Sequence, residues 1–115
     1  MLICIDGTGP YGQENYREMM KDSFCKQMTN QMGRGKSIYI EGPGGAGITT
    51  VRKASLAYRM IHNYYDTLIG TQKHEPLYLA GYSRGGAAAL QIAKFLNEDQ
   101  SPLIVRAMFL FDPVN

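Results

Sequence analysis

Histidine is scarce in this chain, with two among 115 residues, and so are cysteine, at two, and net charge, at +2. Each shortage excludes something. Cys4 and Cys25 are isolated thiols, one in an expected core strand and one in an expected helix. They form neither a disulfide framework nor a metal-binding or redox pair of close spacing, so they read as packing residues in a reducing compartment. The small charge comes from scattered basic residues, without a basic run interleaved with aromatics, and gives no argument for nucleic acid. No apolar run reaches membrane-spanning length. Met1-Leu2-Ile3-Cys4-Ile5-Asp6 lacks the basic region and cleavage site of a signal peptide, so a cytoplasmic location is expected. No residue set calls for a metal or cofactor. What remains is a chain of 44% hydrophobic residues, ordinary for one globular domain with one core.

Within it, four apolar strand-like runs alternate with three helical ones. Leu2–Ile5 is the first strand, ending in the loop Asp6-Gly7-Thr8-Gly9-Pro10. Tyr16, Met19, Met20, Phe24 and Met28 recur at helical spacing and predict one helix from about Asn15 to Gln31. Ser37–Glu41 is the second strand, followed by the glycine-rich loop Gly42 to Gly47. The next helix is expected to start with Thr49 or Thr50 as N-cap and to end at Gly70. Its stripe is Ala54, Ala57, Tyr58, Ile61, Tyr65 and Leu68. Pro76–Ala80 is the third strand, and a helix runs from Gly86 to about Asn97. Val105–Phe111 is the fourth strand. Regular alternation argues for an α/β domain, a three-layer sandwich with four parallel strands. Right-handed crossovers favour strand order 2-1-3-4. That order reverses between strands 1 and 3, opening a crevice at their carboxyl ends where the Asp6 and Ser83 loops meet.

Gly81-Tyr82-Ser83-Arg84-Gly85 is the most informative stretch. It reads G-x-S-x-G between an apolar strand and the alanine-rich run Gly86–Ala93. Strand, tight turn with serine, helix is the context of a nucleophile elbow. The glycines permit a sharp turn and close packing, and the helix N-terminus faces a developing negative charge. The oxyanion needs two such donors: the Arg84 N–H and one from Gly7 or Thr8. The Arg84 guanidinium opposes the helix dipole, so it is expected to meet an anionic substrate group or a carboxylate such as Asp6.

Two glycine patterns point toward nucleotides and then fail. Gly7-Thr8-Gly9-Pro10-Tyr11-Gly12 matches G-x-G-x-x-G, but Pro10 and the gap before the helix spoil the turn onto a helix N-terminus. Gly42-Pro43-Gly44-Gly45-Ala46-Gly47-Ile48-Thr49 has P-loop spacing with Ile48 where the lysine belongs. The loop is therefore read as part of a substrate pocket, with Asp6, Gly44 and Gly45 as its binding residues. A nucleotide-binding domain using this loop remains an alternative.

Ile5-Asp6-Gly7-Thr8-Gly9, Gly81-Tyr82-Ser83-Arg84-Gly85-Gly86 and Phe111-Asp112-Pro113-Val114 follow strands 1, 3 and 4 in order. Together they resemble the α/β-hydrolase-like domains of bacterial type VI secretion phospholipase effectors and their uncharacterised relatives. The resemblance implies a partial α/β-hydrolase core over residues 1–115 and a serine hydrolase of esterase, lipase or phospholipase type, working through an acyl-enzyme on a small-molecule or lipid ester. Ser83 would be the nucleophile and Asp112 the triad acid, with the D-G-T loop at the oxyanion hole and export by a specialised secretion system left open. The family's histidine lies beyond the acid. Here only His62, in a helix, and His74, before strand 3, exist, and nine residues of mostly extended chain place His74 roughly 25–30 Å from Ser83. The expectation is a chain lacking the segment that carries the base, or a catalytically inactive binding module. With that segment missing, strand 4 would leave an edge that favours a homodimer.

Overall fold

The computed structural model describes residues 1–8, 13–43 and 47–112, without the side chains of residues 13, 14, 47 and 48. Strands β1 (Leu2–Ile5), β2 (Ser37–Ile40), β3 (Leu77–Tyr82) and β4 (Val105–Phe111) form one parallel sheet in the order β2-β1-β3-β4. The strand order matches the expected one. Helices α1 (Gln13–Met19), α2 (Phe24–Met32), α3 (Gly47–Asp66) and α4 (Arg84–Glu98) surround it. No helix among the described residues is long and apolar enough to cross a membrane.

Strand alternation sorts the core into two unequal layers. Ile3, Ile5, Leu77 and Leu79 point to one face, where Ala54, Ala57 and Ile61 of α3 and Ala88, Ala89 and Ile92 of α4 cover them. The small residues of α4 let that helix lie close to the sheet. Leu2, Cys4 and Ala80 point to the other face and meet Cys25 and Met28 of α2. The two free thiols are thus neighbours in a buried layer rather than isolated. The hydrogen bond with Cys25 and burial both push the Cys4 thiol upward, which keeps it protonated and inert.

The largest departures from the sequence reading lie at three boundaries. The single helix expected over 15–31 is two, because Ser23 interrupts it: at φ −62° and ψ 158° it caps α2, its Oγ accepting from the Lys26 N–H at 3.1 Å. Serine competes with the helical backbone in this way. Helix α3 starts at Gly47, ahead of Thr49 and Thr50, and ends at Asp66 rather than Gly70. Gly70, at φ 62°, instead opens a 3₁₀ helix, Gly70–His74, that leads into β3.

Strand β4 closes one edge of the sheet. Phe111 stacks on Phe24 with ring centroids 5.2 Å apart, while Phe109 stays 43% exposed.

Candidate functional site

One residue separates β3 from α4. Ser83 sits at φ 55° and ψ −121°, a conformation that non-glycine residues adopt only when their surroundings impose it. The surroundings are visible. The Ser83 N–H donates to Phe111 O at 2.8 Å, and Ser83 O accepts from the Gly86 N–H at 2.9 Å. The flanking glycines are obligatory for steric reasons. A Cβ on Gly81 would lie 2.4 Å from Gly85 O, and one on Gly85 would lie 2.0 Å from Ile5 O and 2.3 Å from Asp6 O. The first turn of α4 is therefore pressed against the end of β1. This strained strand-to-helix turn has the form of a nucleophile elbow, with Ser83 and Arg84 half-buried. The Arg84 N–H lies at the positive end of α4.

The loop after β1 meets this turn, and its carboxylate is not where the sequence reading put it. Asp6 is fully buried. Its Oδ2 accepts from Ser23 Oγ at 2.5 Å and from Tyr39 OH at 2.7 Å, and its Oδ1 accepts from the Gly7 N–H at 3.0 Å. Asp6 thus holds the loop from below instead of facing substrate. Of the two N–H groups expected to share the oxyanion role, that of Gly7 is engaged by Asp6. Thr8 is exposed, and its Oγ1 donates to Pro43 O at 2.7 Å. Gly44 and Gly45, the other expected substrate-binding residues, lie outside the described residues.

Three side chains that the sequence reading missed brace this loop. Tyr16 OH donates to Gly7 O at 2.8 Å and accepts from the Gly42 N–H at 2.7 Å, tying the loop after β1 to the loop after β2. Ser23 and Tyr39 hold Asp6. Burial, chiefly, pushes Tyr16 up to about 12. Burial, with the hydrogen bond to Asp6, pushes Tyr39 upward as well. Both stay neutral near pH 7 and act as hydrogen-bonding struts. A hydroxyl at an apolar helix position was the available signal in Tyr16, whose partners lie 9 and 26 residues away.

On the other side of Ser83 stands the end of β4. Asp112 follows β4, whose Phe111 pairs with Tyr82, so Asp112 lies at the strand end next to the elbow. It is exposed and sits at φ 44°. The histidines are elsewhere. His62 Nε2 is 3.8 Å from Asp99 Oδ2, and Asp99 caps the far end of α4. Fifteen helical residues put that end about 22 Å from Ser83. His74 ends the 3₁₀ helix at the start of β3, about 20 Å down the strand from the elbow. Among the described residues no cluster of histidine, cysteine and carboxylates has the makings of a metal site.

The arrangement offers a serine hydroxyl on a strained turn, backbone donors beside it, a carboxylate at the adjacent strand end and no imidazole within reach. A family model described as "Thioesterase domain" matches residues 26–114, which include Ser83 and Asp112 but not the loop after β1. Comparison with curated proteins and with solved structures gives no significant match.

Proposed function

The chain belongs to the thioesterase domain family, an α/β-hydrolase-type family, and from that premise we propose that it is an acyl-ester or thioester hydrolase with Ser83 as nucleophile. The observation that carries this reading is the backbone of Ser83, φ 55° and ψ −121° between a strand and a helix. A strained residue held there by two backbone hydrogen bonds and two glycine contacts is a feature whose use is a fixed hydroxyl.

In this reading Ser83 Oγ attacks the carbonyl carbon and loses its proton to a base. The oxyanion that forms faces the N–H groups of Arg84 and Thr8. Collapse expels the alcohol or thiol and leaves the acyl group on Ser83, and water then releases it. Asp112 serves as the acid that orients the base. The base is the missing part, since neither His62 nor His74 reaches Ser83. We therefore assign it to a group outside these 115 residues. The D-G-T loop supports phospholipid esters as one substrate class, and the family match supports thioesters. The bare edge of β4 is where a second copy of the chain would pair, which sedimentation velocity tests.

A second reading is favoured by one observation. The distance of both histidines from Ser83 fits a module that binds an acyl ligand without turning it over. Hydrolysis of p-nitrophenyl butyrate, butyryl thiocholine and phosphatidylcholine vesicles, by wild type and Ser83→Ala, tests both readings. The expected outcome is negligible turnover by the chain alone. Robust turnover abolished by Ser83→Ala would identify a base within the chain and return attention to His62 and His74.

A further inference from the structure

The opposite end of the sheet carries an opening that the proposed chemistry does not use. It lies where β3 begins, has a volume of about 280 Å³, and is lined by Tyr65, Leu77 and Leu103 together with Lys73, His74 and Arg106. Ser83 is at the other end of β3, about 20 Å away. Leu77 is buried, whereas Lys73, His74 and Arg106 are exposed. None of the three enters an ion pair among the described residues.

One carboxylate also lines the opening, and it is already engaged. Glu75 Oε2 accepts from Tyr64 OH, and Oε1 lies 3.5 Å from the Met1 ammonium. The Tyr65 hydroxyl is likewise turned away to Glu75 O at 2.8 Å. What remains free to meet a ligand is one lysine, one arginine and one imidazole, above an apolar concavity. Cations scattered on a flat surface are simply solvated. Cations converging on an apolar depression fit a ligand that is anionic at one end and apolar at the other. Ligand pockets run from roughly 300 to 1,000 Å³, so this one takes a small molecule.

We propose that this pocket binds a small organic phosphomonoester, its head among Lys73, His74 and Arg106 and its apolar body against Leu77 and Leu103. A phosphomonoester is favoured because its nearly two negative charges match the two permanent cations, and its oxygens suit the arginine fork. The site is separate from Ser83, and its occupancy does not depend on any hydrolase activity.

The test is an amide NMR titration of the full chain with phenyl phosphate. Inorganic phosphate supplies the head alone, phenol the body alone, and the double variant Lys73→Ser/Arg106→Ser removes the cations. Both substituted side chains are exposed, so an unchanged urea midpoint will show that the variant is folded. The expected result is saturable shifts at Lys73, His74, Leu103 and Arg106. Phosphate, phenol and the double variant should each bind at least about tenfold more weakly, the worth of one good polar contact. Four results would overturn the proposal: no saturation, equal affinity in the double variant, equal affinity for inorganic phosphate, or shifts centred on Ser83. Binding confined to phosphatidate-containing vesicles, with none to phenyl phosphate, would assign the surface to a membrane and overturn it too.

Discussion

The two flanks of Ser83 are built differently. On the β1 side, Asp6 is buried with three donors, Tyr16 ties two loops together, and glycines at 42 and 85 allow backbone to meet backbone, while Gly7 makes room for the Tyr82 ring. On the β4 side, Asp112 is exposed at the end of an edge strand. A nucleophile and an oxyanion hole demand a fixed geometry to within fractions of an ångström. The base that serves them can come from a group that docks later. The difference teaches that the β1 flank of the Ser83 turn is held by buried hydrogen bonds and close backbone contacts, while the β4 flank ends in an exposed carboxylate.

Substitutions on the two flanks should therefore differ in what they damage. The largest effect is expected at Gly85→Ala. Its Cβ would sit 2.0 Å from Ile5 O, and a backbone carbonyl in a sheet cannot yield as a side chain can. A loss of about 3 kcal/mol or more is expected, read from urea unfolding. A near-neutral result would show that α4 can slide away from β1, and the rigid flank would be rigid no longer.

Asp6→Ala and Asp112→Ala form the sharpest matched pair. The first strands the Ser23 and Tyr39 hydroxyls and the Gly7 N–H without their acceptor. Each buried orphan costs about 1–3 kcal/mol, partly offset because a buried charge is also removed. A net loss of about 2–3 kcal/mol is expected. The second removes an exposed side chain and should change stability by no more than about 0.5 kcal/mol. Equal losses at both positions would erase the distinction between the flanks.

Alkaline pH probes the same bracing more gently. Tyr16 is pushed from 10 to about 12 in the folded chain, so the unfolded chain gives up this proton first. The contribution is fully present below pH 10 and is lost as pH rises toward 12, the sign set by the greater proton binding of the folded state. Tyr16→Phe should cost about 1 kcal/mol at neutral pH and flatten part of the alkaline decline. Tyr65, also pushed up to about 12 by burial, sits far from the site and keeps its own share. Parallel curves for wild type and Tyr16→Phe would mean that Tyr16 ionises freely and does not brace the loops.

The architecture was legible because alternating strands and helices with right-handed crossovers leave few parallel topologies, among which order 2-1-3-4 puts the switch between strands 1 and 3. Ser83 was legible because its glycines, strand and helix are all local. The bracing was not. Ser23 interrupts the first helical run because its hydroxyl serves Asp6, 17 residues away, and local periodicity is blind to a partner at that distance. Tyr16 reads as one more apolar position of a helical stripe. Whether Asp6 faces substrate or engages the Gly7 N–H is a matter of side-chain rotamer, and composition carries no trace of it. The sequence reading accordingly placed Asp6 and Gly7 in the loop beside Ser83 without the bond that joins them.

Chemical rescue tests the central claim most directly, because imidazole in solution can supply the base that the proposed mechanism requires. The rate of p-nitrophenyl butyrate hydrolysis is followed against imidazole concentration for wild type and Ser83→Ala, with the protein-free rate subtracted. The account predicts almost no turnover without imidazole and a rate that climbs with it in wild type alone. Equal imidazole dependence in Ser83→Ala, or full Ser83-dependent activity without any imidazole, would contradict it.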